Sequence, residues 1–154
     1  MIREELIEHA IERLSSGHRP PEEVVNCLKE DFPYILSYVD EEWMSVLFPE
    51  ERNLLIFGIS VLIETGDVAE HGLIDSDPEE VSEQEEENWS RYDLSTKDFH
   101  ERLDTFFEDY PEEDLLAFVE DLLTETEEDE LTDEGRDVVF IALKTLIDLW
   151  YVLD

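Results

Sequence analysis

Glu50-Glu51-Arg52-Asn53-Leu54-Leu55-Ile56-Phe57-Gly58-Ile59-Ser60-Val61-Leu62-Ile63-Glu64 lines up without gaps on Glu134-Gly135-Arg136-Asp137-Val138-Val139-Phe140-Ile141-Ala142-Leu143-Lys144-Thr145-Leu146-Ile147-Asp148. Glu, Arg, Leu and Ile recur identically, and most other pairs keep their type. Both stretches are apolar nearly all round the helical period, so each reads as a helix covered on several sides. Gly58 and Ala142 occupy matching places, where small side chains let two helices cross closely. Arg52 and Arg136 open the two helices, where neighbouring carboxylates would hold them in an ion pair; a paired-Arg anion site is the lesser alternative.

Upstream of each stretch the match continues, because Glu30-Asp31-Phe32-Pro33 corresponds to Glu108-Asp109-Tyr110-Pro111. Each half therefore reads as helix, aromatic-Pro corner, helix, then apolar helix. The second spacing is longer, which places an insertion near Thr124 to Glu130. The expectation is two copies of a three-helix unit, at about 20–65 and 95–153, joined by an acidic connector at 66–94. Outside this match the 3.6 period persists and sustained strand alternation is missing. The fold class is all-α, a compact bundle of about six to eight helices in a single domain spanning 1–154.

Local signals give the boundaries. Helix one runs from about Ile2 to Ser15 with Gly17 as its stop, and helix two opens at Pro20-Pro21 and closes near Asp31, before Pro33. A third spans Tyr34 to Leu47 with a break near Asp40; a fourth starts at Pro49 and ends at Glu64, before Gly66. Within the connector, Asp77 with Pro78 predicts a short, solvated helix whose far end is pinned by Trp89 and Tyr92. Ser95 and Asp98 form a near capping box for a helix reaching Asp109; others span Pro111–Leu123 and Thr132–Leu153.

The charge limits function more than any motif does. The chain has 154 residues with 45 Asp and Glu against 10 Lys and Arg, a formal net charge of −35, yet 42% of it is apolar. Such a field repels phosphate backbones and anionic lipid, so direct nucleic-acid binding and membrane docking are excluded. The lysines are only Lys29, Lys97 and Lys144, and the acids are spread over the whole chain, a pattern that fits halophilic adaptation. A basic protein partner is the other reading that the charge favours. The apolar runs Leu54–Ile63 and Val138–Leu153 are too short or too charged to span a bilayer. With no basic, apolar leader at Met1–Glu5 and a lone Cys27, the cytoplasm is the expected compartment.

Catalytic constellations are not found. The residues three before His9, His18, His71 and His100 are not glutamates, so the Glu-x-x-His di-iron signature is missing, as are zinc, phosphate-loop and nucleophile-elbow patterns. Asp75, Asp77, Glu79, Glu83 and Glu86 match ligand positions of a calcium loop, but Glu80 stands where that turn needs glycine. Glu5, Glu8, His9 and Glu12 share a helix region that a solvated face explains equally well. Cys27 sits among Val24, Val25 and Leu28 as a small buried residue. No enzyme activity, cofactor or metal is expected. The leading expectation is a non-catalytic, acidic helical protein-interaction or adaptor domain; the alternative is a nucleic-acid mimic occupying the basic site of a DNA- or RNA-binding protein. Trp150, Tyr151 and Leu153 point in nearly all directions at helical geometry. They form a candidate interface for a homodimer, unless they fold back onto the first helix.

The charge generates a first prediction. Repulsion among the acids reaches about 30 Å at 0.01 M salt but about 3 Å at 1 M. The melting temperature should therefore climb steeply over that range, as circular dichroism would follow; a flat curve would mean that the acids are locally compensated.

Overall fold

A computed structural model describes residues 2–17, 21–40, 47–92, 99–108, 110–124 and 131–152. It contains α1 (Glu4–Ser15), α2 (Pro21–Asp31), α3 (Pro33–Val39), α4 (Pro49–Val68), α5 (Pro78–Arg91), α6 (Phe99–Phe107), α7 (Glu113–Thr124) and α8 (Asp133–Ile147), closed by a π-helical turn at Asp148–Val152. No strand occurs among the described residues. The all-α expectation holds.

The two apolar helices, α4 and α8, lie against each other at the centre. Every residue from Gly58 to Gly66 and from Asp137 to Asp148 is buried, as helices without a polar face require. Leu62 and Leu146 are fully buried. At the crossing, a Cβ on Gly58 would stand 2.7 Å from Leu143 Cδ1, so glycine is what admits that leucine. α1 covers α4, while α5 and α7 cover α8.

The N-termini of α4 and α8 share one carboxylate. Glu51 is fully buried; its Oε1 accepts from Phe48 N at 2.8 Å, as the third residue of a helix does when it reaches back to the cap. Its Oε2 accepts from both Thr132 N and Thr132 Oγ1, each at 2.8 Å, and Thr132 Oγ1 in turn caps α8 by accepting from Gly135 N at 2.9 Å. The carboxylate occupies the volume that a side chain at position 135 would need: a Cβ there would lie 1.9 Å from Glu51 Oε2. Positions 51 and 135, aligned in sequence, thus meet as Glu against Gly.

Several boundaries differ from the sequence reading. α4 continues through Gly66 to Val68, because Gly66 is a packing residue: a Cβ would stand 3.1 Å from Leu73 and 3.2 Å from the Tyr151 hydroxyl. The left-handed backbone after that helix falls on Glu70, at φ 56°. α5 starts as expected, with Asp77 accepting from Glu79 N at 2.8 Å and Pro78 next. Most of its residues are solvated, but one face is not: Val81 and Asn88 are buried, and the helix packs against α3 and α8. The Arg136 guanidinium lies 5.5 Å above the Phe99 ring, and the side chain that joins the two helix starts directly is Glu51. The Ser95–Asp98 cap, the Thr124–Glu130 insertion beyond Thr124 and the Trp43–Val46 part of the third helix lie outside the described residues.

The two halves share an order of elements, not a set of neighbours. α7 lies along α8, whereas α3 lies against α2 and α5. Duplication therefore stays a reading of the sequence.

Removing the shared cap should be expensive. Glu51→Ala strips the buried acceptor shared by two helix starts and should cost roughly 2–4 kcal/mol. Gly135→Ala should cost a similar amount, because the Glu51 carboxylate must leave its donors to make room. Urea unfolding of both variants and of the double mutant checks this: non-additive losses would mark the shared contact, and additive ones would refute it.

Candidate functional site

Three basic residues, Arg13, Arg102 and Lys144, are matched with buried acids. Arg13 Nε lies 3.0 Å from an oxygen of fully buried Glu64. Arg102 grips Asp137 through both carboxylate oxygens, at 3.0 and 2.9 Å, and Tyr92 donates to the same carboxylate. Lys144, only 1% exposed, donates to Asp148 Oδ2 at 2.7 Å, Asp148 Oδ1 at 2.9 Å and Asn88 Oδ1 at 3.0 Å. Asp148 also accepts from Gln84, Asn88 and Tyr110, while the Lys144 ammonium sits 4.6 Å from the Tyr110 ring centre. One ion pair at i, i+4 thereby ties α5, α8 and the corner before α7. In the sequence, the signal for this pair is the i, i+4 spacing of Lys144 and Asp148.

A cleft of about 620 Å³ opens beside this network. Glu80, Glu83, Gln84 and Glu87 recur at the spacing of one helical face and form its wall along α5. The opposite wall is the chain at Gly72–Ser76, and Leu149 and Trp150 form the floor. That opposite wall is fixed at both ends. His71 N donates to Gly66 O at 2.9 Å and His71 Nε2 lies 2.8 Å from Trp150 O, while the Asp75 carboxylate accepts from Tyr34 N and Ile35 N at the start of α3. Ile74, between these anchors, is 76% exposed. The cleft thus combines the α5 carboxylates with Ile74 and Leu149, while the Asp75 carboxylate of the opposite wall is engaged at the start of α3.

Trp150 and Tyr151 are core residues of their own chain. Trp150 packs on Phe32 with ring centres 5.3 Å apart and is 2% exposed; Tyr151 stacks on His71 and donates to Leu62 O at 2.6 Å. Neither ring offers a broad face to a second copy, and their partners lie in α2–α4 and the 71–77 chain instead of α1. Leu153 lies outside the described residues. The Trp150 indole N–H has no acceptor among the described residues. Asp75 and Asp77 cap α3 and α5, which removes two of the five calcium-loop acids from any loop, and no group of three metal-ligating side chains forms among the described residues. Cys27 is half-buried. Among the described residues no helix is long and apolar enough to cross a membrane. No family model, curated protein or solved structure matches this chain.

The buried network sets a pH dependence. Burial raises the Tyr92, Tyr110 and Tyr151 hydroxyls above their ordinary 10.0, with the Asp137 charge adding for Tyr92 and the Asp148 charge for Tyr110. Their contribution is full below about pH 10 and is lost above it, as the unfolded tyrosines ionise and the folded ones do not. Desolvation lowers Lys144 from 10.5, so its contribution runs the other way, rising with pH up to that value. Three groups oppose one, so stability should fall above about pH 10. The urea midpoint followed from about pH 9 to 11 checks this, and Tyr151→Phe should flatten the fall; an unchanged slope would remove the tyrosines as its cause.

Proposed function

We propose that this chain is a non-catalytic, acidic helical interaction domain whose α5 cleft receives a basic segment of a protein partner. The observation that carries the reading is the composition of the cleft: Glu80, Glu83 and Glu87 stand along one wall, with Ile74 and Leu149 opposite and below. A lysine or arginine side chain is itself divided in this way, an apolar stem under a charged head, so it suits an acidic rim above an apolar floor. The anchoring of the 71–77 chain supports it further, because a wall held at both ends needs little ordering when a ligand arrives.

Imitation of a nucleic acid requires carboxylates but no apolar component. The exposure of Ile74 beside those carboxylates favours a partner with both charge and apolar side chains. Solvation of carboxylates in concentrated salt accounts for the overall charge, but it does not account for an apolar floor beneath them.

A soluble peptide of about twelve residues, with lysines interspersed with leucines, tests the reading by calorimetry at low salt. Affinity should fall as salt rises. Glu83→Gln/Glu87→Gln should weaken binding about three- to tenfold, since each rim charge contributes a fraction of a kcal/mol. Ile74→Ser should weaken it as well. Binding that ignores all three substitutions, or a polylysine of equal charge that binds as well as the mixed peptide, would overturn the proposal.

A further inference from the structure

A second groove lies between α1 and α7, over Phe57 of α4. Its volume is about 390 Å³. α1 and α7 start at the same end: Ile2 N donates to Glu112 Oε2 at 2.8 Å and Glu4 N to Asp114 Oδ2 at 3.0 Å, so the second helix caps the first. From there the two helices form the sides of the groove, from Glu4 to Ile11 and from Asp114 to Leu122. Ile11, Phe118 and Leu122 line it, and Phe57 of α4 forms the bottom while remaining 38% exposed. Carboxylates stand on both sides, Glu4 and Glu8 on α1 and Asp114 and Asp121 on α7.

We propose that this groove receives a basic amphipathic helix from a partner protein. An apolar trough between two helices takes the apolar stripe of a third, read through anchors at i, i+3, i+4 and i+7. Acids on both sides require cations flanking that stripe on both sides. The charge decides among occupants: a second copy brings −35 of its own, and nucleic acid or anionic lipid brings phosphate, so all are repelled. The stretch from Glu4 to Ile11 rises roughly 10 Å, which matches about two turns of a ligand helix. A helix that short is marginal in water, so its folding should accompany binding. This surface is separate from the α5 cleft, and it does not depend on the reading given for that cleft.

The test uses a blocked peptide of about fourteen residues with leucines at helical spacing and lysines flanking them. Its control has the same composition, rearranged so that no helical face forms. The first should bind the full chain at least tenfold more tightly than the control at equal salt, and should gain helicity by circular dichroism. Phe57→Ser should reduce it to the level of the control. Glu8→Lys/Asp121→Lys, which alters only groove-side charge, should weaken it about tenfold and decides the matter if the Phe57 variant does not fold. Glu83→Gln/Glu87→Gln should leave it unchanged, separating this groove from the α5 cleft. Equal binding of peptide and control, or indifference to the Glu8/Asp121 reversal, would overturn the proposal. So would dimerisation through Phe57 in light scattering, which would assign the groove to a second copy.

Discussion

Glu51 holds the start of both central helices in one buried carboxylate, and the register of the whole bundle follows from it. A helix start leaves backbone N–H groups without partners, and holding two such starts side by side is favoured when one group accepts from both. One side chain does so here, provided that position 135 has no Cβ. With the two starts fixed side by side, Gly58 meets Leu143 further along and the Tyr151 hydroxyl reaches Leu62 O beyond that. The remaining helices cover what these two leave open.

The buried ion pairs belong to the same scheme. A lysine as covered as Lys144 would be strongly unfavourable alone, and Asp148 with Asn88 gives its three protons acceptors. Such a pair contributes little net energy compared with apolar packing, but it tolerates only one arrangement of its partners. Gln84, Asn88 and Tyr110 all reach Asp148, so α5 and the corner before α7 have one seat on α8. Glu64, at the position aligned with Asp148, is likewise buried and matched by Arg13 of α1. In each central helix the acid at this point attaches a covering helix.

The central helices were legible because both were read from apolar character sustained around the whole period, a signal with no alternative in a chain that lacks strand alternation. The attached face of α5 was hidden for the converse reason: a run dense in Glu shows no apolar stripe, and Val81 apart, much of what faces inward is polar, Gln84 and Asn88 reaching Asp148. Gly66 was read as a stop because glycine's backbone freedom and its lack of bulk look identical in sequence; only the nearness of Leu73 and Tyr151 tells them apart. Glu51 was hidden by its neighbours, since one acid among several at a helix start reads as a favourable dipole partner. The α5 cleft and the α1–α7 groove join segments distant in sequence, so no local pattern contains them.

The distribution of charge gives the surface its character. Arg13, Arg102 and Lys144 are each committed to a buried or largely buried carboxylate, and the fold thereby withdraws positive charge from a chain that has little of it. The outer surface becomes more uniformly negative than the composition alone implies. A uniform field attracts any cation without choosing among them, so choice has to come from shape and apolar contact. Those are concentrated where carboxylates border apolar hollows, at Ile74 beside α5 and at Phe57 between α1 and α7. The field would bring a basic protein to the surface from any direction, whereas the hollows would retain only one whose cations flank apolar side chains. High salt weakens the first effect and leaves the second, so recognition by such a surface becomes more selective as the general attraction fades.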